Sequence, residues 1–264
     1  MSIQINSVEI ELSRPDYVPV IKDTVTFYGG SQMWFPEKNK NNKDYILHNY
    51  GCGTIATADL LLYLARRSDD FRSPETQIAL NTDNSIDHRN YDAYVRRIND
   101  KYTKTRRYIA VLGTKIASAF NSYSKTYGLG YHAYWKWTLS YYDMYEIIVE
   151  MLNYDIPVII SIGPNTPKFW ENKGIPFYQR YEVTIPDSEE QKSPTKQYRY
   201  RAVMQDINSH YVTVTGIIKD NLAHKIMLRI SSWGVEYYIN YEEYRNYIEN
   251  CGGTFTSSLV QIKR

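Results

Sequence analysis

The run Ile55-Ala56-Thr57-Ala58-Asp59-Leu60-Leu61-Leu62-Tyr63-Leu64-Ala65 is apolar on nearly every side of a helix. Ile55, Ala58, Leu61, Leu62 and Ala65 share one face, with Ala56, Leu60 and Leu64 beside them. Such a helix has no polar stripe to offer water, so it belongs in the middle of a core. The fold must therefore wrap it. Immediately before it stands Tyr50-Gly51-Cys52-Gly53-Thr54, which places a cysteine between two glycines at the helix N-terminus. Unpaired N–H groups and the helix dipole favour negative charge there, and a thiol in that place has a lowered pKa. Glycine lets the backbone turn sharply and leaves space for an approaching group. Cys52 is thus a candidate nucleophile. The competing reading is that of a small buried hydrophobe, and only a base elsewhere in the chain decides between them.

At 264 residues the chain suffices for one domain or two small lobes. The net charge of +2 gives no strong pull toward nucleic acid or an anionic membrane. No apolar stretch is long enough to span a bilayer, and Met1 to Asn6 lacks the basic and apolar regions of a secretory signal. The expectation is a soluble, cytoplasmic protein without nucleic-acid or membrane partners. The two cysteines, Cys52 and Cys251, are reduced by default in that compartment, a bridge between them being the alternative. His48, His88, His132, His210 and His224 show no close pairing with cysteine or one another of the kind zinc needs, so no metal or cofactor is expected. The 27 tyrosines suit half-buried strands and binding surfaces.

Val8 to Val25 reads as extended, broken by Pro15 and Pro19, and Phe27 to Pro36 is a glycine- and aromatic-rich turn that could line a cleft. Glu37 to Lys43 reads as an exposed loop carrying the chain, with His48, toward the Cys52 helix. Tyr91, Tyr94, Val95 and Ile98 recur at helical spacing, as do Ile116, Ala117, Phe120 and Tyr123, the latter ending at Gly128-Leu129-Gly130. His132 to Trp137 reads as a core strand or an aromatic ligand wall, and Ser140 caps a helix over Met144 to Leu152, with Asp143 as its capping-box partner. Ile156 to Ile162 is a buried strand. Asn165 to Gln197 has little regular pattern, as expected of a lid or binding loop. Strands follow at Tyr198–Met204, His210–Ile218, Lys225–Ser231, Glu236–Asn240 and Phe255–Ile262, with a helix over Tyr241–Asn250. Helices first and antiparallel strands after predict an α+β fold with segregated lobes, a helical one over about 28–154 and a β one over about 155–264, within a single domain spanning 1–264.

Of the five histidines, His210 stands out, because it opens a β-branched strand at whose end its ring can project toward the other lobe. His88 and His224 lie in polar stretches, and His132 among aromatics reads as a core residue. Asp59 reads as a buried, hydrogen-bonded structural acid.

The order of Gly51-Cys52-Gly53-Thr54, Ile156-Pro157-Val158-Ile159-Ile160, His210-Tyr211-Val212-Thr213-Val214-Thr215-Gly216 and Ser231-Ser232-Trp233-Gly234 resembles the papain-like cysteine peptidases. It is most similar to the bacterial branch holding the bacteriocin leader-processing peptidases and their free-standing relatives. The resemblance runs from Gly29 to Tyr241 as short islands. It implies a papain-like fold with Cys52 as nucleophile and His210 as general base and acid. It also implies an upstream glutamine in the oxyanion hole, for which Gln32 is the candidate and Asn49 the alternative, with the Cys52 N–H as second donor. The family places that glutamine a few residues before the cysteine, which makes Glu37 to Lys43 an insertion here. The residue orienting the histidine is Asn or Asp in relatives, and the aligned position is Ser231, whose neutral hydroxyl stabilises imidazolium less. The resemblance thus implies a hydrolase acting on a peptide or other acyl substrate through a thioester. The alternatives are an acyltransferase using a carrier-bound or small-molecule donor, and a catalytically weak protein that binds a peptide or partner.

Overall fold

A computed structural model describes residues 7–40, 42–163, 174–185, 195–220, 225–250 and 257–264. β1 (Ser7–Glu11) pairs antiparallel with a strand far along the chain, while β2 (Pro19–Lys22) and β3 (Val25–Tyr28) form a hairpin. Pro19 occupies the first position of β2, where a missing N–H is tolerated. A short 3₁₀ turn at Gln32–Trp34 leads to α1 (Lys43–Tyr50) and then α2 (Cys52–Arg67). His48 therefore sits on a helix, and not on the loop expected of it, because Asn42 caps the Asp44 N–H and starts a helical turn early.

α2 is buried from Cys52 through Arg66, as an all-round apolar sequence requires. Around it lie α3 (Thr76–Ala79), the two-residue β4 (Ile86–Asp87), α4 (His88–Ile98) and α5 (Gly113–Tyr127). β4 completes a three-stranded sheet in the order β3-β2-β4. α5 stops at Gly128 with φ +65°, the left-handed cap that glycine adopts without strain.

The main sheet takes β5 (His132–Trp137), then, after α6 (Tyr141–Asn153), β6 (Val158–Ile162), β7 (Ile175–Ile185), β8 (Thr195–Ile207), β9 (His210–Asp220), β10 (Lys225–Ser232) and β11 (Val235–Asn240). α7 (Tyr241–Asn250) and β12 (Ser258–Lys263) finish the chain. The strand order is β5-β12-β6-β9-β10-β11-β7-β8, with β1 added beside β9, and neighbouring strands run antiparallel. The protein is α+β, with a large antiparallel sheet. That sheet recruits β1 and β5 from before residue 155, and one apolar core joins Leu61, Tyr94 and Phe120 to Ile160, Val214 and Leu259.

Two expectations change. The patternless segment Asn165 to Gln197 contains β7 and the start of β8, a ribbon paired from Ile175↔Ile207 to Ile185↔Thr195. Its residues at 165–173 and 186–194 lie outside the described residues. Tyr181 and Tyr198 are exposed on this ribbon, so burial imposes no apolar alternation for the eye to find. β5 is an edge strand and not a core one: Ala133 is buried, but His132, Tyr134 and Trp137 are exposed. His132 is therefore no core histidine.

The tyrosines fill the interior more than the surface. Tyr94 donates to the Ala58 carbonyl at 3.1 Å, Tyr244 to Ser161 at 2.8 Å and Tyr247 to Gly163 at 2.9 Å. Each buries a large ring and still satisfies its hydroxyl. The last two pin the end of β6, which forms a wall of the cleft described next.

Candidate active site

α2 and β9 bring the two ends of the proposed chemistry together. Cys52 is the first residue of α2, and His210 the first residue of β9. Gly53 makes the approach close: a Cβ there would lie 3.1 Å from Ile116 Cδ1 and 3.2 Å from Tyr211 Cδ2. Cys52 and His210 both border a cleft of about 700 Å³ whose other walls include Tyr50, Tyr108, Leu112 and Trp135. Cys52, Gln32, Asp59, His210, Ser231 and Ser232 also line a small pocket of about 20 Å³. A larger groove, about 900 Å³, runs between α5 and β5, but it touches neither Cys52 nor His210.

The thiol is free and buried. The sequence led us to expect a lowered thiol pKa, yet burial pushes it up, against the pull of the Tyr211 and Gly53 backbone N–H groups. Low dielectric penalises the thiolate more than the helix start favours it. Burial also drives the His210 imidazole down to about 3. At rest both groups are therefore neutral, a thiol and an imidazole on the wall of the same cleft. The Cys52–Cys251 bridge falls on Cys251, which lies outside the described residues, as does His224.

The His210 ring stacks on Trp233, with centroids 4.3 Å apart and planes at 16°. Phe177 of β7 backs Trp233 at 5.9 Å. The ring is thus clamped flat, and Nε2 lies 2.8 Å from the Ser232 hydroxyl. This corrects the expectation for Ser231, whose hydroxyl instead donates to the Tyr28 carbonyl at 2.7 Å. The reason is a bulge. β10 pairs Arg229 with Gly216 but Ile230 with Val214, so Ser231 sits opposite Thr213. An unbroken register would have put Ser231 opposite Val214, on the same side as His210.

Gln32 reaches the pocket although α1 intervenes between it and Cys52. One Nε2–H donates to the His48 carbonyl at 2.8 Å, leaving the other for an oxyanion, while Oε1 is buried without a partner. His48 is held in turn by its Nδ1, 2.8 Å from the Phe35 carbonyl. Asn49 borders the open cleft but is exposed, and its amide turns back to the Tyr45 carbonyl at 3.0 Å. The N–H of Cys52, in the first turn of α2, is the second donor candidate.

Asp59 lies two turns along α2 from Cys52. Its Oδ2 accepts the Gly30 N–H at 2.9 Å and its Oδ1 the Tyr91 hydroxyl at 2.6 Å. Burial pushes its carboxyl up to about 7. Gly29, with φ +89°, has no room for a side chain: a Cβ would fall 2.3 Å from Ser231 Oγ and 2.8 Å from Asp59 Oδ2. Asp59 is thus buried and hydrogen-bonded, as the sequence led us to expect. Ser232 had been given no role, because a bulge leaves no mark on alternation.

Among the described residues no group of three or more His, Cys, Asp or Glu side chains is placed to hold a metal ion, and no helix is long and apolar enough to cross a membrane. The site and fold together define an α+β protein with a cysteine and a histidine set across one cleft. No family model matches the chain, and no curated protein or solved structure does.

Proposed function

We propose that the protein is a cysteine hydrolase of the papain-like kind, cleaving an amide or ester bond in a peptide or other acyl substrate. The observation that carries this reading is the meeting of Cys52, His210 and Gln32, from three separate parts of the chain, around one pocket. The sulfur attacks the carbonyl carbon while its proton passes to His210, so that a C–S bond forms without a long-lived thiolate. Gln32 Nε2 and the Cys52 N–H hold the oxyanion. The imidazolium then protonates the departing amine or alcohol as its bond to carbon breaks. Water, deprotonated by His210, attacks the thioester and releases the acid, and the thiol regains its proton. A cytoplasmic setting, where such a thiol stays reduced, accords with this chemistry.

The test uses a peptide vinyl sulfone, with the modified residue located by mass spectrometry and amide turnover assayed in parallel. The label is expected on Cys52, absent from Cys52→Ala and strongly reduced in His210→Ala. Full turnover in either variant overturns the mechanism. A second reading, a papain-like protein that binds peptides with little turnover, draws support from the neutral resting pair and from the neutral hydroxyl on His210 Nε2. Tight peptide binding by a wild type that takes no label would favour it.

A further inference from the structure

We propose that Asp59 is a positioning residue of the Cys52–His210 pair: its carboxyl fastens the turn that carries Gln32 and shares with the imidazole a small pocket that has space for one water. The inference rests on the Cys–His reading above.

Three observations lead to it. The first is the fastening. Asp59 Oδ2 takes the Gly30 N–H, two residues before Gln32, and Ser231 takes the Tyr28 carbonyl on the other side of Gly29. Both oxygens lie within 2.8 Å of where a Gly29 side chain would begin, so the turn is gripped from α2 and β10 together. The second is the pocket. At about 20 Å³ it has space for one water, which needs roughly 10–15 Å³. The buried, unpartnered Oε1 of Gln32 is an acceptor that such a water would satisfy. Asp59, Thr213, Ser231 and Ser232 supply further polar partners on the same walls. The third is continuity with the histidine. Ser232, in that pocket, is the residue that bonds His210 Nε2.

The groups packed against Asp59 are tyrosines: Tyr17 from the segment before β2, and Tyr91 and Tyr94 from α4. His210 lines the same pocket. No lysine or arginine contributes to the state of the carboxyl. Its charge is therefore uncompensated by a fixed cation, and the cation it can favour is the imidazolium that forms as the thiol proton moves to His210. In that step the proton leaves sulfur for imidazole nitrogen; no bond to Asp59 forms or breaks.

Asp59→Asn is the informative variant. Its Oδ1 can accept the Gly30 N–H and its Nδ2 can donate to the Tyr91 oxygen, so the grip is preserved while the charge is removed. The readout is the ring ¹⁵N shifts of His210 between pH 5 and 9, assigned by their loss in His210→Asn. In the wild type the His210 signals are expected to move with the ionisation of Asp59, followed by its carboxyl ¹³C signal; in Asp59→Asn that step disappears. Where turnover is measurable, kcat falls about tenfold in Asp59→Asn above neutral pH with KM unchanged. Asp59→Ala, which loses the grip as well, falls further, and Asp59→Glu restores part of the pH step. An identical His210 profile in wild type and Asp59→Asn overturns the proposal, as does an Asp59 titration that leaves His210 unmoved. Because the ring shifts need no substrate, a protein without turnover whose His210 still follows Asp59 removes the hydrolase reading and leaves this coupling standing.

Discussion

Ser232 holds His210 Nε2 with a hydroxyl 2.8 Å away, whereas Trp233 holds the ring by its face. The hydroxyl, which can donate or accept, holds the edge of the ring; the stacking selects the plane. A neutral hydrogen bond contributes about 1 kcal/mol, so losing it should loosen the imidazole without releasing it. Ser232→Ala is expected to lower kcat several-fold, with KM held. Ser231→Ala is expected to spare kcat and cost about 1 kcal/mol of stability, because it removes the hydroxyl that donates to the Tyr28 carbonyl. Steady-state kinetics and urea denaturation of the two variants check this, and the opposite pattern would show that Ser231 serves the histidine after all. The two serines also mark what a sequence discloses at this scale. Cys52 and His210 are legible because each opens a regular element. The serine that meets His210 is not, because one extra residue, Thr215, shifts the register between Arg229 and Ile230.

Between elements, the decisive contact is that of α2 with β9. Their separation at the Cys52 end is set by Gly53, where a Cβ would lie 3.1–3.2 Å from Ile116, Tyr211 and Val111. A Gly53→Ala substitution sets two effects of similar size against each other. Alanine in place of glycine inside a helix gains about 1 kcal/mol, while overpacking a tight contact costs about 1–3 kcal/mol. Net stability should therefore change little. The added methyl group nevertheless pushes Tyr211, and with it the adjoining His210, away from the start of α2. We expect a thermal midpoint within a few degrees of wild type and a loss of vinyl sulfone labelling at Cys52 of tenfold or more. Labelling at the wild-type rate would show that the α2–β9 spacing does not govern the pair. At this scale α2, α4, α5 and α6 were legible from apolar spacing and capping residues such as Ser140, which accepts the Asp143 N–H at 3.1 Å. Of the β7–β8 ribbon, Tyr198–Met204 was read as a strand and β7 was not, since beyond the buried Ile175 and Phe177 its described side chains are partly or fully exposed and leave little alternation to read.

For the whole molecule, two buried groups of the site set opposite slopes on stability against pH. His210 titrates near 6.5 when unfolded and about 3 when folded. Between those values the unfolded chain binds the extra proton, so acidification through this window destabilises the fold. Asp59 runs the other way, from 3.8 unfolded to about 7 folded. Between those values the folded chain holds the extra proton, so stability from this group is lost as pH rises and levels off above about 7. From about pH 4 to 6.5 the two slopes cancel. Each alone amounts to about 1.4 kcal/mol per pH unit at most. Asp59→Asn removes one of them while keeping the hydrogen-bonding shape. Its stability relative to wild type should be near zero at pH 4, rise steadily through pH 5 and 6, and flatten above about 7. The variant's own curve should acquire the uncovered His210 slope, falling as pH drops below 6.5. Urea unfolding of both proteins at unit pH steps from 4 to 8 measures the difference directly, and the groups common to both drop out of it. A difference that stays constant with pH would mean that Asp59 ionises alike in both states and that its burial carries no cost. A rising difference would show that the fold gives up stability at neutral pH to keep a carboxylate behind its histidine, which is the kind of local expense found where a charge is used.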